Sequence, residues 1–541
     1  MSESTAAAAG RKTWQRLLGA AACATCMVLG SPDVSWWWLG LVGWVPWLYA
    51  IEGLTPKKAF WIGWLTGVIT VFWGFIWLTE LLGKFAGFGL VPRLLLHLLF
   101  AAFQGLQWAL PAALLNWLRA RTGRDVLLLA PLVWVAGEAA LPHVFPSYLA
   151  LMWCYEPRWL QLAEIGGVTT IGLAQLSINA GLYVLLRDQL AEKRLNKAAL
   201  ALFLGWLVGT PLYGTIRMAQ VDAMIEASPK LKVGVVQGNF GIYEWSRGKA
   251  GILRRLHAES ARLEREGAEM ILWGETGYPY SYGLPRRDGR DFPPGHRRRV
   301  REQFTAPLIF GVVTADQRES KYAWNTAMVL ERDGSLGDIY DKNFPLYFGE
   351  YVPFVDPDWY REMVPAASYI NPGKGPAVLR VQPEGGGEPM RFGPLICYED
   401  ILPRFARSIA SEGIHAFVNL TNDSWFGKSK EQYQHLGLAV LRTIENRRGL
   451  LRSVNAGTSV YVDPVGRVLH QTPVEDPDMA EAPMAATGFV AEVPLIDPNY
   501  RTPYTRTGEL FNGLVIAWLG LLGIRGRRRF GRARDASAPA G

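Results

Sequence analysis

Cysteine is nearly absent. The 541 residues hold four, Cys23, Cys26, Cys154 and Cys397, too few for a disulfide scaffold in a chain of this length. The seven histidines are scattered and show no metal-ligand spacing. Charge is thin as well: 19% of residues are Asp, Glu, Lys or Arg, against 50% hydrophobic. That balance is apolar for a soluble chain and suggests a membrane part. Repeats are missing, and the one low-complexity stretch is the Ala/Pro tail. The net charge of +8 does not point to nucleic acid, because much of the basic excess flanks apolar segments. It lies at Arg11, Lys12 and Arg16 and in "RGRRRFGRAR" (525–534), the expected signature of cytoplasmic membrane flanks.

Apolar length is what the chain has in excess. A bilayer span needs about 20 mostly apolar residues, and eight segments are candidates: 14–31, 35–52, 59–82, 91–118, 125–141, 161–187, 198–219 and 508–524. Loop charge orients them. With a cytoplasmic N-terminus, the inner loops carry Lys57 and Lys58, then Arg119, Arg121 and Arg124, then Arg187, Lys193, Arg194 and Lys197. The outer loops hold only Lys84, Arg93 and Arg158. This asymmetry follows the positive-inside rule, places residues 223–505 outside the cytoplasm and returns the basic tail inside. The expected organisation is a membrane domain over 1–222, an extracytoplasmic domain over 223–505, and a last helix with its tail over 506–541. Cys23 and Cys26 form a C-x-x-C inside the first span and read as helix packing. The tryptophan clusters "SWWWLGLVGW" and "FWGFIW" fit interfacial anchoring and bundle packing equally well.

Residues 223–505 alternate short apolar strands with amphipathic helices, the pattern of a layered α/β domain. "KLKVGVVQGNF" and "MILWGETGYP" read as strands, "AGILRRLHAESARLEREGAE" as a helix, and "NTAMVLERDGSLGDIYDKN" as a hairpin turning at Asp333-Gly334. Three strand ends deliver reactive groups: Glu275 after "MILWG", Lys342 after "GDIYD" and Cys397 after "FGPLI". A thiol needs a base to become a nucleophile, and attack on a carbonyl makes an oxyanion that needs a cation or N–H donor. Carboxylate, lysine and thiol together suit acyl transfer through a thioester. Taken singly, each also fits a plain structural role: a packed cysteine, a turn glutamate, a solvated hairpin lysine.

Seven stretches carry a resemblance to a known family: "VVQGNF" (235–240), "LWGETGYP" (272–279), "YDKNFPLYFGEYVPF" (340–354), "PLICYED" (394–400), "VNLTNDSWFG" (418–427), "YQHLGLAVLRTIENRR" (433–448) and "SVNAGTSVYVDPVGRV" (453–468). In this order they resemble the nitrilase, or carbon–nitrogen hydrolase, superfamily. The whole chain resembles its membrane branch, the apolipoprotein N-acyltransferases. The resemblance implies an αββα sandwich fused to a bundle of about eight spans, in the bacterial inner membrane. It implies Cys397 as nucleophile, Glu275 as general base and Lys342 as the cation on the tetrahedral intermediate. Glu350 would support the lysine and the substrate amine; Tyr398 and Glu399 match residues following the nucleophile, and Trp425 a loop residue near the site. A phospholipid would donate its acyl chain to the diacylglyceryl-cysteine of a lipoprotein, with membrane lipid as surroundings and without metal, cofactor or nucleic acid. A membrane-tethered nitrilase-like amidase would share the triad but release the acyl group to water. A transporter would instead need intramembrane ionisable residues, for which Glu80, Glu138 and His97 are thin material. Two positions depart from the family pattern, Gly274 and Tyr347, each where proline is usual. The basic loop 285–300 has no counterpart in the family and is read as solvated surface or as a contact for anionic headgroups.

Overall fold

The computed structural model describes residues 10–535 apart from 243, 245–247, 282–283, 285, 287–288, 316–322, 348, 353–354, 357–358, 360–361 and 363–368, with side chains up to 526. The chain divides into two compact units. One comprises Met1–Thr79, Val91–Met218 and Arg506–Gly541, the other Glu80–Leu90 and Ala219–Thr505.

The first unit is helical. Among the described residues three apolar helices, lying mostly or wholly in this unit, are long enough to cross a membrane: Leu90–Thr122, Thr169–Glu192 and Lys197–Ala227. A fourth candidate is the pair Pro56–Gly74 and Trp77–Ala86, bent by 59°, whose second helix is assigned mostly to the other unit. The count of about eight spans is therefore coarser in the structure. Segment 35–52 folds as a tight turn, Trp37–Leu41, and a short helix, Val45–Ile51. Segments 125–141 and 508–524 give short apolar helices, Val126–Ala140 and Leu510–Gly526, and 161–187 becomes helical for its length only from Thr169. Apolar composition marks these segments, but internal Gly and Pro and the packing of neighbours decide where each helix breaks.

Within this unit the tryptophans divide by burial. Trp44, Trp47, Trp108 and Trp134 are buried and pack edge-on or stacked, with Trp44 and Trp134 centroids 4.3 Å apart, whereas Trp36, Trp38, Trp61 and Trp73 are exposed. Cys23 is fully buried against its neighbours, the packing role expected of it. Glu52, also buried, accepts from Arg119 at 2.8 Å and Arg187 at 2.6 Å, with Arg11 3.9 Å away.

The second unit is built on two six-stranded sheets. The first, in spatial order, is β12 (Thr487–Pro494), β1 (Lys230–Gln237), β2 (Met270–Trp273), β3 (Leu308–Ala315), β4 (Ala323–Leu330) and β5 (Leu336–Asp341). The second runs β11 (Val468–Gln471), β10 (Val460–Val462), β9 (Gly449–Val454), β8 (Ala416–Thr421), β7 (Met390–Ile396) and β6 (Leu379–Val381). The parallel strands β1–β3 and β7–β9 form the two centres. They read as unbroken apolar runs because both faces are covered. The sheets meet where Ser453 Oγ on β9 donates to Val236 O on β1 at 2.6 Å. Helix Lys249–Arg265 covers the first sheet, with Ser260 taking the Trp273 indole N–H at 2.9 Å. Helices Pro403–Ser411 and Glu431–Asn446 cover the second. The result is the αββα sandwich that the resemblance implies. The hairpin at Asp333-Gly334 joins β4 to β5 as anticipated, with Gly334 at φ 83°.

Candidate active site

Glu275 follows β2, Lys342 follows β5 and Cys397 follows β7. Glu275 and Lys342 end in one buried cluster. Lys342 Nζ lies 3.1 Å from Glu275 Oε1 and 2.7 Å from Glu350 Oε2, and it is 1% exposed. Burial opposes its charge, but the two carboxylates and the nearby thiol outweigh burial and hold the ammonium well above the usual lysine range. Burial pushes the Glu275 carboxyl up, against the pull of Lys342. A raised carboxylate is a better proton acceptor for catalysis.

Cys397 begins a tight turn, Cys397–Ile401, and its φ of 50° is left-handed. A non-glycine residue there is strained by roughly 1–3 kcal/mol, and such strain gathers at functional turns. Burial raises its thiol well above the usual range, Glu275 adds to the rise, and Lys342 acts against it. A thiol so raised is held protonated and would need a base to become a nucleophile. Thr276, directly after Glu275, is also left-handed, at φ 50°.

The other expected site residues divide. Glu350 joins the cluster through Lys342, and its Oε2 also accepts the Leu346 N–H at 2.8 Å. Glu399 is fully buried and works as a clamp. Its Oε2 takes Tyr340 O–H and Ile396 N–H at 2.7 Å each, and its Oε1 takes Asn343 N–H at 2.6 Å and Phe344 N–H at 3.2 Å. Burial lifts its carboxyl to about 7 while these donors pull it down. The effect is to lock the turn bearing Cys397 to the strand end bearing Lys342. Tyr398 is half-buried, its hydroxyl pushed up to about 12 by burial and by Tyr347. Trp425 stands edge-on to Phe85, with ring centroids 5.4 Å apart.

Sequence reasoning missed Asn325. From β4 its Nδ2 donates to Glu275 Oε1 at 2.6 Å and to Glu350 Oε1 at 3.0 Å, bridging the two carboxylates. Its own carbonyl accepts the Lys342 backbone N–H at 2.9 Å. The available signal was an amide at an inward position of an apolar strand, "AWNTAMVL". The departure at Gly274 also has a physical account. A Cβ there would sit 3.0–3.2 Å from Thr421 O, Ser453 O and Asn455 N, where two strands crowd the backbone.

The basic loop 285–300, partly outside the described residues, is less free than its composition implies. Arg286 is bound to Asp341 at 2.6 Å and lies over Trp324 at 4.4 Å. Arg299 lies 3.5 Å from Glu302, just before Arg301, which caps four backbone carbonyls. The histidines are not all isolated either: His435 comes together with Asp423 and Glu431, their donor atoms within 4.8 Å of one another.

Comparison with known proteins follows this division. A carbon–nitrogen hydrolase profile matches residues 232–485, and one for the apolipoprotein N-acyltransferase N-terminal domain matches 23–181. An apolipoprotein N-acyltransferase of Bdellovibrio bacteriovorus is 30% identical over 80% of this chain and 81% of its own. One from Chlorobaculum tepidum is 28% identical over 68% and 73%, and one from Azotobacter vinelandii 27% over 86% and 88%. Among solved structures, a nitrilase-superfamily amidase from Nesterenkonia AN1 aligns at 17% identity and a TM-score of 0.35, over 54% of this chain and 99% of that one.

Proposed function

The chain belongs to the apolipoprotein N-acyltransferase family and is an acyltransferase, and from that premise we propose that Cys397 carries the acyl group it transfers. Glu275 takes the thiol proton, and the thiolate attacks an ester carbonyl of a phospholipid. Lys342 and the backbone N–H after the nucleophile face the oxyanion that forms. The intermediate collapses to a Cys397 thioester, and the departing lysophospholipid oxygen takes the proton from Glu275. In the second half the α-amino group of a diacylglyceryl-cysteine attacks the thioester. Glu275 receives the amine proton and returns it to the leaving Cys397 thiolate. Glu350 holds Lys342 on target, and Asn325 ties the two carboxylates together.

The observation that carries this reading is the buried Lys342 between Glu275 and Glu350, at 3.1 and 2.7 Å. The Cys397 thiol, strained at the end of β7, feels the charges of both Glu275 and Lys342. The bundle suits substrates anchored by acyl chains. We further read it as spanning the bacterial inner membrane about eight times, with both termini cytoplasmic and the catalytic domain periplasmic. Arg11, Arg119 and Arg187, from three segments assigned to the inner side, converge on Glu52, which supports one shared face.

Intact-protein mass spectrometry after incubation with a chain-labelled phospholipid tests the reading. An acyl adduct on Cys397, discharged by a diacylated lipopeptide to give N-acyl peptide, is expected. Discharge to free fatty acid alone would instead favour the amidase chemistry. No adduct, or turnover surviving Cys397→Ser, would sink the thioester.

A further inference from the structure

Behind the nucleophile lies a closed ring of charge that the acyl-transfer chemistry does not use directly. Arg452 on β9 donates from Nη1 to Asp400 Oδ2 and to Asn419 Oδ1 (2.9 Å), and from Nη2 to Asp423 Oδ2 at 3.0 Å. His435 on helix Glu431–Asn446 donates from Nε2 to Asp400 Oδ1 at 2.8 Å. Its Nδ1 faces Asp423 Oδ1 at 3.5 Å and Glu431 Oε1 at 3.6 Å. Arg452, Asp400, Asp423, His435 and Glu431 are all buried, none of these residues more than 7% exposed. Asp400 lies in the turn that Cys397 begins, and Asp423 stands two residues before Trp425.

The open question is the His435 Nδ1. With Nε2 committed to Asp400, a neutral ring would present a bare lone pair to two carboxyl oxygens in a dry interior. Such an arrangement is repulsive, and an unmet polar group there is costly. The Nδ1 atom and Asp423 Oδ1 are both without a hydrogen-bond partner, and Asp423, paired with Arg452 at 3.0 Å, is an acceptor, so the nearer of the two oxygens offers Nδ1 no proton. A proton on Nδ1 answers that. Charges then alternate around the ring as Arg452, Asp400, His435 and Asp423.

We propose that His435 is carried as an imidazolium and, with Arg452, forms a positioning ring that fixes the Cys397 turn against the Trp425 loop. Neither residue touches substrate. The ring acts by holding the nucleophile's turn rigid, and a misplacement of about 1 Å costs on the order of 10²-fold in rate. Titratable groups facing His435 are Asp400, Asp423, Glu431 and Arg452. Burial and Arg452 oppose its charge, while Asp400 and Asp423 outweigh them. Burial and the Asp423 charge lift Glu431 to about 8, so its acid form leaves the ring neutral overall at physiological pH.

Nitrogen NMR of the imidazoles in the full-length, detergent-solubilised chain reads the protonation directly. At pH 7.5, His435, assigned by its loss in His435→Gln, is expected with both nitrogens protonated. A singly protonated ring overturns the proposal, as does a divalent ion retained stoichiometrically at this position after chelation. Kinetics test the role, which rests on Cys397 being the nucleophile, whereas the NMR does not. His435→Gln should slow acyl-enzyme formation by roughly 10- to 100-fold with KM for phospholipid little changed. His435→Lys, which keeps a cation, should recover part of that rate and hold it to higher pH. Wild-type rate and pH profile in His435→Gln, or no recovery in a folded His435→Lys, would refute the positioning role.

Discussion

Lys342 shows how much a single buried charge decides. Its ammonium is shared by Glu275 and Glu350, and Asn325 bridges the same two carboxylates. Replacing Lys342 with Met leaves two carboxyls facing each other without a cation. Breaking a buried pair in this way costs about 3–5 kcal/mol, so Lys342→Met should lose activity and unfold earlier in a thermal melt, with stability partly regained at acid pH. Asn325→Leu removes only hydrogen bonds to charged groups, each about 1.5–3 kcal/mol. It should lower kcat by on the order of 10- to 100-fold while the fold survives, as circular dichroism would report. If Asn325→Leu turned over normally, its bridge would be structural decoration.

At the scale of elements, the proposed catalytic groups depend on how closely strands pass. Gly311 on β3 lies against the β2 end: a Cβ there would meet Gly274 O at 2.5 Å, Thr276 N at 2.6 Å and Glu275 Cα at 2.7 Å. Those neighbours are backbone and cannot yield cheaply. Gly311→Ala should therefore move Glu275 away from Lys342, and a fall in kcat exceeding about tenfold is expected, measured alongside an unchanged phospholipid KM. The ring on helix Glu431–Asn446 sets a pH dependence. His435 is held at about 10 against 6.5 for the free side chain, so folding favours its protonated form. Its contribution is complete below about pH 6.5 and is lost as pH rises through about 10. Glu431, held at about 8 against 4.5, has the same sign: its part is complete below about pH 4.5 and lost as pH rises through about 8. Melting temperature of the solubilised chain should fall between pH 7 and 10, and less steeply in His435→Lys. A melt flat across that range would contradict both.

For the whole molecule, the strongest expectation is orientation. Lys193 lies in a loop assigned to the cytoplasm and Ser335 in the β4–β5 hairpin of the catalytic unit. Ser335→Cys should react with a membrane-impermeant maleimide added to spheroplasts, whereas Lys193→Cys should react only after permeabilisation. The reverse pattern would invert the topology, and labelling of both would undo it.

By itself the sequence determined the composition of each unit, the layered α/β class and the residues that follow β2, β5 and β7; the two-sheet sandwich came from the family resemblance. These features are local: an apolar run of strand length followed by a reactive side chain is visible within ten residues. Span number was legible only coarsely, because hydropathy measures composition while helix breaks such as the 59° bend after Gly74 depend on packing. Only the tertiary structure decided partners distant in sequence. Asn325 meets Glu275 across 50 residues and Arg452 meets Asp400 across 52. Glu399 follows Cys397 by two residues in sequence yet turns inward to clamp Lys342's strand end. Such meetings follow from sheet register and strand crossing, which no window of sequence contains, because the energy that fixes them is the burial of both partners at once.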